Sequence, residues 1–105
     1  MKVNAMLEMM EIDYAENINH YDLQIENDII KQGFNLPNRQ QLHQMYLLHK
    51  QGIGGFKNDW YMTSEPGAGS FVNYCINFET GEELLRNIEE SHWGCCRVRL
   101  VKLIS

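Results

Sequence analysis

Two adjacent cysteines stand in the C-terminal stretch HWGCCRVRLVKL, His92 to Leu103, beside a tryptophan and alternating cations and aliphatics. With Cys75 they are the three cysteines of the chain. As thiolates they would offer a soft-metal site or redox chemistry. Successive side chains on a strand point to opposite faces, so Cys95 and Cys96 cannot both ligate one metal without a bulge. Cys75 and Cys95 could approach across adjacent strands, which keeps a disulfide or a soft-metal pair open. An odd cysteine count with no export signal in view argues against a disulfide framework. The favoured reading of the cysteines is as small buried hydrophobes.

Other residues of catalytic type do not converge. The four histidines, His20, His43, His49 and His92, are scattered, and His43 and His49 fall on different faces of one expected helix. There is no CxxC, no HxxxH and no glycine-rich phosphate loop. No Ser/His/Asp constellation or paired-carboxylate arrangement emerges, so no catalytic residue, metal or cofactor is expected. What remains is a recognition surface. Trp60, Tyr74 and Trp93 fall near expected strand ends, with Lys57, Asn58, Asp59, Glu65, Asn73, Ser91 and His92 around them. Rings supply contact area and polar groups supply orientation, which is how adaptable binding surfaces are built. These ten residues form the expected binding set, with Trp60 and Trp93 as the exposed pair and Tyr61 and Phe78 in the core.

The bulk numbers bound the function. A chain of 105 residues with 44% apolar and 22% charged residues is one ordinary globular domain. With 9 Lys and Arg against 14 Asp and Glu, the formal net charge is −5, which disfavours binding along a phosphate backbone. Glu8 and Glu11 interrupt any secretory h-region, and no apolar run approaches the ~20 residues of a membrane helix. A cytoplasmic location is therefore expected.

The elements that must position the candidate residues read as an α+β order of strand, helix, helix and several antiparallel strands. Val3 to Ile12 reads as a strand. Asn19 caps an expected helix carrying Leu23, Ile25, Ile29 and Ile30 and stopping at Gly33. In LPNRQQLHQMYLLHK, Asn38 as N-cap and Gln41 three residues later form a polar capping box. Leu42, Met45, Tyr46 and His49 mark that helix's apolar face. QGIGGF ends it in a tight, constrained connection. DWYMTS and FVNYCINF read as strands separated by PGAGS, ETGEE as a turn, and Leu84 to Ile88 as a short strand or irregular segment. Cys95 to Ile104 reads as a last strand with both faces at least partly covered.

These motifs, in this order, carry a resemblance. GFNLPNRQQLHQMY resembles the W-R-L-P-T-x-x-E-L-x-x-L-Y signature of the DUF1566 (Lcl C-terminal) family. IGGF followed by WYMTSE resembles that family's I-G-G-F and Y-W-S-S-T-E, NFETG its N-F-S-N-G, and CRVRLVKL its closing Y-V-R-x-V-R strand. The similarity runs from about Leu7 to Leu103. Phe34, Asn38 and Met62 depart from the family's Trp, Thr and second aromatic, yet each keeps its job of packing or capping. The resemblance implies a C-type-lectin-like fold: two helices on a twisted antiparallel sheet, termini close together, and loops that can carry ligand.

That fold suggests calcium first. Glu65-Pro66 echoes the Glu-Pro-Asn sugar motif, but Gly67 stands where the Asn ligand belongs, and Asn58 and Asp59 lie on the wrong side of the loop. The expectation is therefore a non-enzymatic binding module of a bacterium or phage, an inhibitor or adaptor that docks on a protein partner through its loops. The alternatives are a calcium-independent glycan-binding domain and a copper-dependent cysteine oxidase of the formylglycine-generating type. Self-association is left open, favoured if Met9, Met10 or Met45 lies on an exposed face.

Overall fold

The computed structural model describes residues 1–18, 23–66, 72–87 and 96–104. Its elements are β1 (Lys2–Asn4), β2 (Leu7–Met9), β3 (Ala15–Ile18), α1 (Asn27–Lys31), α2 (Arg39–Lys50), β4 (Trp60–Pro66), β5 (Val72–Asn77), β6 (Glu83–Asn87), β7 (Cys96–Val98) and β8 (Val101–Leu103). The α+β class holds. The strands form a three-stranded sheet in the order β1-β2-β8 and a five-stranded sheet in the order β3-β7-β4-β5-β6. The second is mixed rather than purely antiparallel, because Tyr61 of β4 pairs with Arg97 of β7 in parallel.

Alternation along β4 and β5 divides the interior in two. Tyr61 and Ile76 join Leu7, Met9, Leu42, Met45, Phe56, Phe78 and Val101 in one buried cluster beneath α2. Met62 and Cys75 face the other way and join Cys96, Val98 and Leu100, covered by half-buried residues of the chain between Met10 and Leu36. Both faces of the central strands are thus dry, which is why FVNYCINF carries apolar side chains at successive positions instead of alternating with polar ones.

α2 starts where expected. The Asn38 side chain accepts the Gln41 N–H at 2.8 Å and the Gln41 side chain accepts the Asn38 N–H at 2.9 Å. Leu42 and Met45 are fully buried beneath it. Asn38→Ala removes the cap and should cost about 1 kcal/mol. Urea unfolding should show a lower midpoint with an unchanged slope, and Asn38→Asp should restore most of the loss.

Three expected elements differ. Val3–Ile12 is a hairpin, not one strand: the Asn4 side chain accepts the Met6 N–H at 2.8 Å, a local turn that reverses the chain so that Lys2 pairs with Glu8. The helix expected from Asn19 to Gly33 is only α1. Ala15–Ile18 is a strand on β7, and Leu23 and Ile25 cover the second cluster from outside any helix. Asn19 lies outside the described residues. Gly33 does end the helix, at φ +94°. The last run, of which Cys95 lies outside the described residues, is not one strand: it splits at Arg99–Leu100, β7 entering the larger sheet and β8 the smaller. Of the expected Leu84–Ile88 segment, Leu84 to Asn87 belongs to β6, in register with β5 from Ile76↔Glu83 to Val72↔Asn87, and Ile88 lies outside the described residues. Among the described residues no helix is long and apolar enough to cross a membrane.

Candidate functional site

At the split between β7 and β8, an ionic network runs through the protein beneath the Gly54–Trp60 connection. Tyr14 N donates to Val98 O at 2.7 Å and Met10 N to Leu100 O at 3.0 Å, so the segment carrying Asp13 runs alongside the arginine-bearing strand. Arg99, only 1% exposed, donates Nε to Asp13 at 2.9 Å. Its Nη1 reaches Met10 O at 3.1 Å and Gly54 O at 2.7 Å, and its Nη2 reaches Gly55 O at 3.3 Å. Its guanidinium lies 4.3 Å from the centre of the Phe56 ring. A buried arginine is tolerated here because its charge meets a carboxylate and its remaining donors meet carbonyls.

Tyr61 completes the inner end. Its hydroxyl donates to Asp13, 2.9 and 2.8 Å from the two oxygens, and accepts the Lys57 N–H at 3.1 Å. Burial pushes this phenol well above the ordinary tyrosine value; the Lys57 hydrogen bond opposes that shift, while Asp13 adds to it. A raised folded value means that the contribution to stability is full below pH ~10, where tyrosine in the unfolded chain still holds its proton. It is lost as pH climbs toward the folded value, at about 1.4 kcal/mol per pH unit. Tyr61→Phe should be less stable than the parent at pH 7, and the gap should narrow steadily above pH 10. Unfolding midpoints from pH 7 to 11.5 check this; a constant gap would contradict it.

Arg97 forms the outer end, bonded to Asp59 through Nε at 3.1 Å and paired through Nη1 with Glu16 at 3.1 Å and Asp13 at 3.4 Å. Partial desolvation works against its charge, but the hydrogen bond to Asp59 and the three carboxylates outweigh it and hold the guanidinium above its ordinary value. Asp59 also caps its own loop, accepting the Trp60 N–H at 2.8 Å, and its carbonyl accepts the Phe78 N–H at 2.9 Å. Next to it, Asn58 Oδ1 lies 2.8 Å from His49 Nε2. The His49 ring stacks on Phe78 at 5.5 Å and meets Phe56 edge-on at 5.9 Å. His49 thus sits on the apolar face of α2, as expected, and its contacts are structural.

The expected binding residues therefore divide. Lys57 and Asn58 are exposed, Asp59 and Trp60 half-buried, and all four sit on one connection held from below by Arg97, His49 and Tyr61. Trp60 is not fully exposed as expected, because it packs against the second apolar cluster. Glu65 lies toward the other end of β4, roughly 17 Å along the strand from Trp60, and Tyr74 of β5 stands three residues from Asn77, the partner of Trp60, or roughly 10 Å along. There Glu65 accepts the Arg39 N–H, the Arg39 guanidinium covers the Tyr74 ring at 4.0 Å, and Arg39 pairs with Glu83. Asn73 belongs to neither patch: it is buried and donates to Thr63 O at 2.7 Å, so it serves the frame. Ser91, His92 and Trp93 lie outside the described residues. Tyr61 and Phe78 are core, as expected.

Among the described residues, no three His, Cys, Asp or Glu side chains converge as a metal site. Met9 and Met45 are buried and Met10 is half-buried, so the exposed methionine face considered for self-association is absent among them. The sequence reading missed Asp13, Arg97 and Arg99. The signal for them was available: two arginines at alternate positions of an otherwise apolar strand need carboxylates when the strand is buried.

The chain matches no model of a known protein family, and no curated protein matches it.

Proposed function

We propose that the chain is a non-enzymatic binding module on a C-type-lectin-like frame, an inhibitor or adaptor that docks on a protein partner. The frame reading rests on the order of elements and on β2 pairing antiparallel with β8, Leu7 opposite Leu103, with two helices and the β4–β5–β6 meander between them. The docking reading rests on one observation, the Lys57–Trp60 connection. It presents exposed Lys57 and Asn58 beside half-buried Asp59 and Trp60, and hydrogen bonds to His49, Arg97, Tyr61 and Phe78 hold it in one shape. A surface already fixed in its bound shape loses little entropy on association. A central ring flanked by polar groups is the composition protein interfaces use.

The test compares the tagged parent with a Lys57→Glu variant, whose change lies on an exposed side chain. Each is applied to host lysate and, separately, to immobilised glycans. A protein retained stoichiometrically by the parent and lost by the variant supports the reading. Retention on glycans instead, abolished by the same change, replaces it with the glycan-binding reading. Equal behaviour of parent and variant removes this connection as the site.

A further inference from the structure

A cavity of about 270 Å³ opens on the smaller sheet, and no residue of the Lys57–Trp60 connection or of the ionic network lines it. Leu7, Leu36 and Val101 give it an apolar lining, and Asn35, Gln41 and Leu103 bring polar groups to it. Val101 and Leu103 share one face of β8, and Leu7 lies opposite Leu103. Leu7 and Val101 are buried, whereas Leu103 is 73% exposed, so the core-facing side of the sheet runs on past its cover. The backbone is open at the same point. Val101 exchanges two hydrogen bonds with Asn35, at 2.8 and 2.9 Å, on the edge away from β2. The N–H and C=O of Leu103, two residues on, point the same way. The chain that would meet them turns off at Gly33, φ +94°, and neither group has a hydrogen-bond partner among the described residues. The two amide side chains are half committed. Asn35 Oδ1 accepts the Leu36 N–H at 2.8 Å and Gln41 Oε1 the Asn38 N–H at 2.9 Å, so each has its NH2 left to donate. Glu at position 41 would cap as well and would add a favourable charge at the helix start, yet the first turn of α2 carries no acidic residue. Lys102, the adjacent cation, stands on the other face of β8 and pairs with Glu8 at 3.4 Å, so a charged ligand would find no counter-ion here.

We propose that this cavity binds a small neutral amide bearing a branched aliphatic group, the chemistry of an N-acylated leucine amide. The ligand's N–H donates to the Leu103 C=O, and the carbonyl of the same ligand residue accepts the Leu103 N–H, as in a hydrogen-bonded pair of antiparallel residues. Gln41 supplies a further donor to the acceptor-rich end. The aliphatic group covers Leu103 and packs on Leu7, Leu36 and Val101, removing apolar surface from water. If each non-hydrogen atom takes the ~30 Å³ of one liquid water, the cavity holds about nine, which suits a single residue-sized molecule. A long paired peptide does not fit, because Asn35 already holds the β8 edge at Val101.

Isotope-labelled parent, Gln41→Glu and Leu103→Pro chains are titrated by NMR with three probes. These are N-acetyl-leucine N-methylamide, its alanine counterpart, and the analogue with an ester oxygen in place of the leucine N–H. Gln41→Glu keeps the capping box and removes the donor. Leu103→Pro removes an N–H that no ladder bond uses, a place where an edge strand tolerates proline. The expected result is saturable shifts confined to the residues lining the cavity, with a Kd in roughly the millimolar range that so small a ligand allows. Binding should weaken about tenfold for the ester analogue and for Leu103→Pro, the effect of one lost hydrogen bond. It should also weaken for the alanine counterpart and for Gln41→Glu, while urea unfolding shows the variants folded; should Leu103→Pro not fold, Gln41→Glu carries the test. The proposal is overturned if the parent shows no saturable shifts at the cavity, if the three probes bind equally, or if the folded variants bind as the parent does.

Discussion

Arg99→Ala should lower stability by about 3–5 kcal/mol, the range for removing one partner of a buried, hydrogen-bonded ion pair. A single domain has about 5–15 kcal/mol in all, so the variant should unfold near room temperature or in very little urea. Three losses combine. The carbonyls of Met10, Gly54 and Gly55 lose the donors that now reach them, and that of buried Gly54 becomes a buried acceptor without its protein partner. Asp13 keeps Tyr61 and Arg97 but gives up its inner cation. The Phe56 ring loses the group stacked on it. Arg99→Lys should recover only part of this, because an ammonium is a point donor and cannot span Asp13, two glycine carbonyls and Met10 with one planar fork. Urea unfolding of the parent and both variants checks the order; a loss below 1 kcal/mol for Arg99→Ala would show that the network is not a stabilising core.

Gly54→Ala should cost about 3 kcal/mol or more, whereas Gly55→Ala, one residue on, should cost about 1–2. The two glycines differ in surroundings more than in backbone. Gly54 has φ +102°, and a Cβ built there would meet the Phe56 ring, with Cδ2 at 2.9 Å, and the Met9 methyl at 3.0 Å. Phe56 has nowhere to retreat, packed as it is against Tyr61 at 5.5 Å, Phe78 at 4.9 Å and the Arg99 guanidinium. Gly55 has φ +65°, with open space where its Cβ would project. Its penalty is therefore the left-handed backbone alone. A shift at Gly54 also drags a carbonyl away from Arg99, so this substitution and Arg99→Ala should be strongly non-additive. Chemical denaturation of the two alanine variants and the Gly54→Ala/Arg99→Ala double gives all three numbers.

Much of the frame was legible because it depends on neighbouring residues. The Asn38–Gln41 box is a contact between positions three apart, and its consequence, α2, follows almost at once. The glycines of QGIGGF announce a chain path that side chains resist. The β4 and β5 strands declare themselves through aromatic and β-branched residues. What was not legible depends on residues far apart in sequence. β3 is a strand because β7, some 80 residues later, supplies a partner, and nothing in Ala-Glu-Asn-Ile favours extension strongly. The break at Arg99 exists because Asp13 and the Gly54–Gly55 carbonyls await that guanidinium, and an alternating pattern cannot show that one of its cations turns inward. The candidate site was half visible for the same reason. Lys57 to Trp60 stood out by composition, while Arg97, which binds Asp59, and its carboxylate partner Asp13 lie far apart in the sequence, and Asn73, polar on an expected strand, looked like surface until its partner at Thr63 was seen.

The pairing of β2 with β8 has a consequence for how the molecule is made. Leu7 meets Leu103 and Met9 meets Val101, so the smaller sheet joins residues from opposite ends of the sequence. Closing so long a span comes late, after local units such as the β1–β2 hairpin, α2 and the β4–β5–β6 meander have had time to form. Synthesis runs from the N-terminus, and Leu7 and Met9, buried in the finished protein, must wait for β8 to supply the strand that completes their cover. Through that interval the hairpin presents an apolar face and an open strand edge, the combination most prone to pairing with the wrong chain. The arrival of β8 then closes that edge, so the interval before it is when the hairpin is most exposed to mispairing.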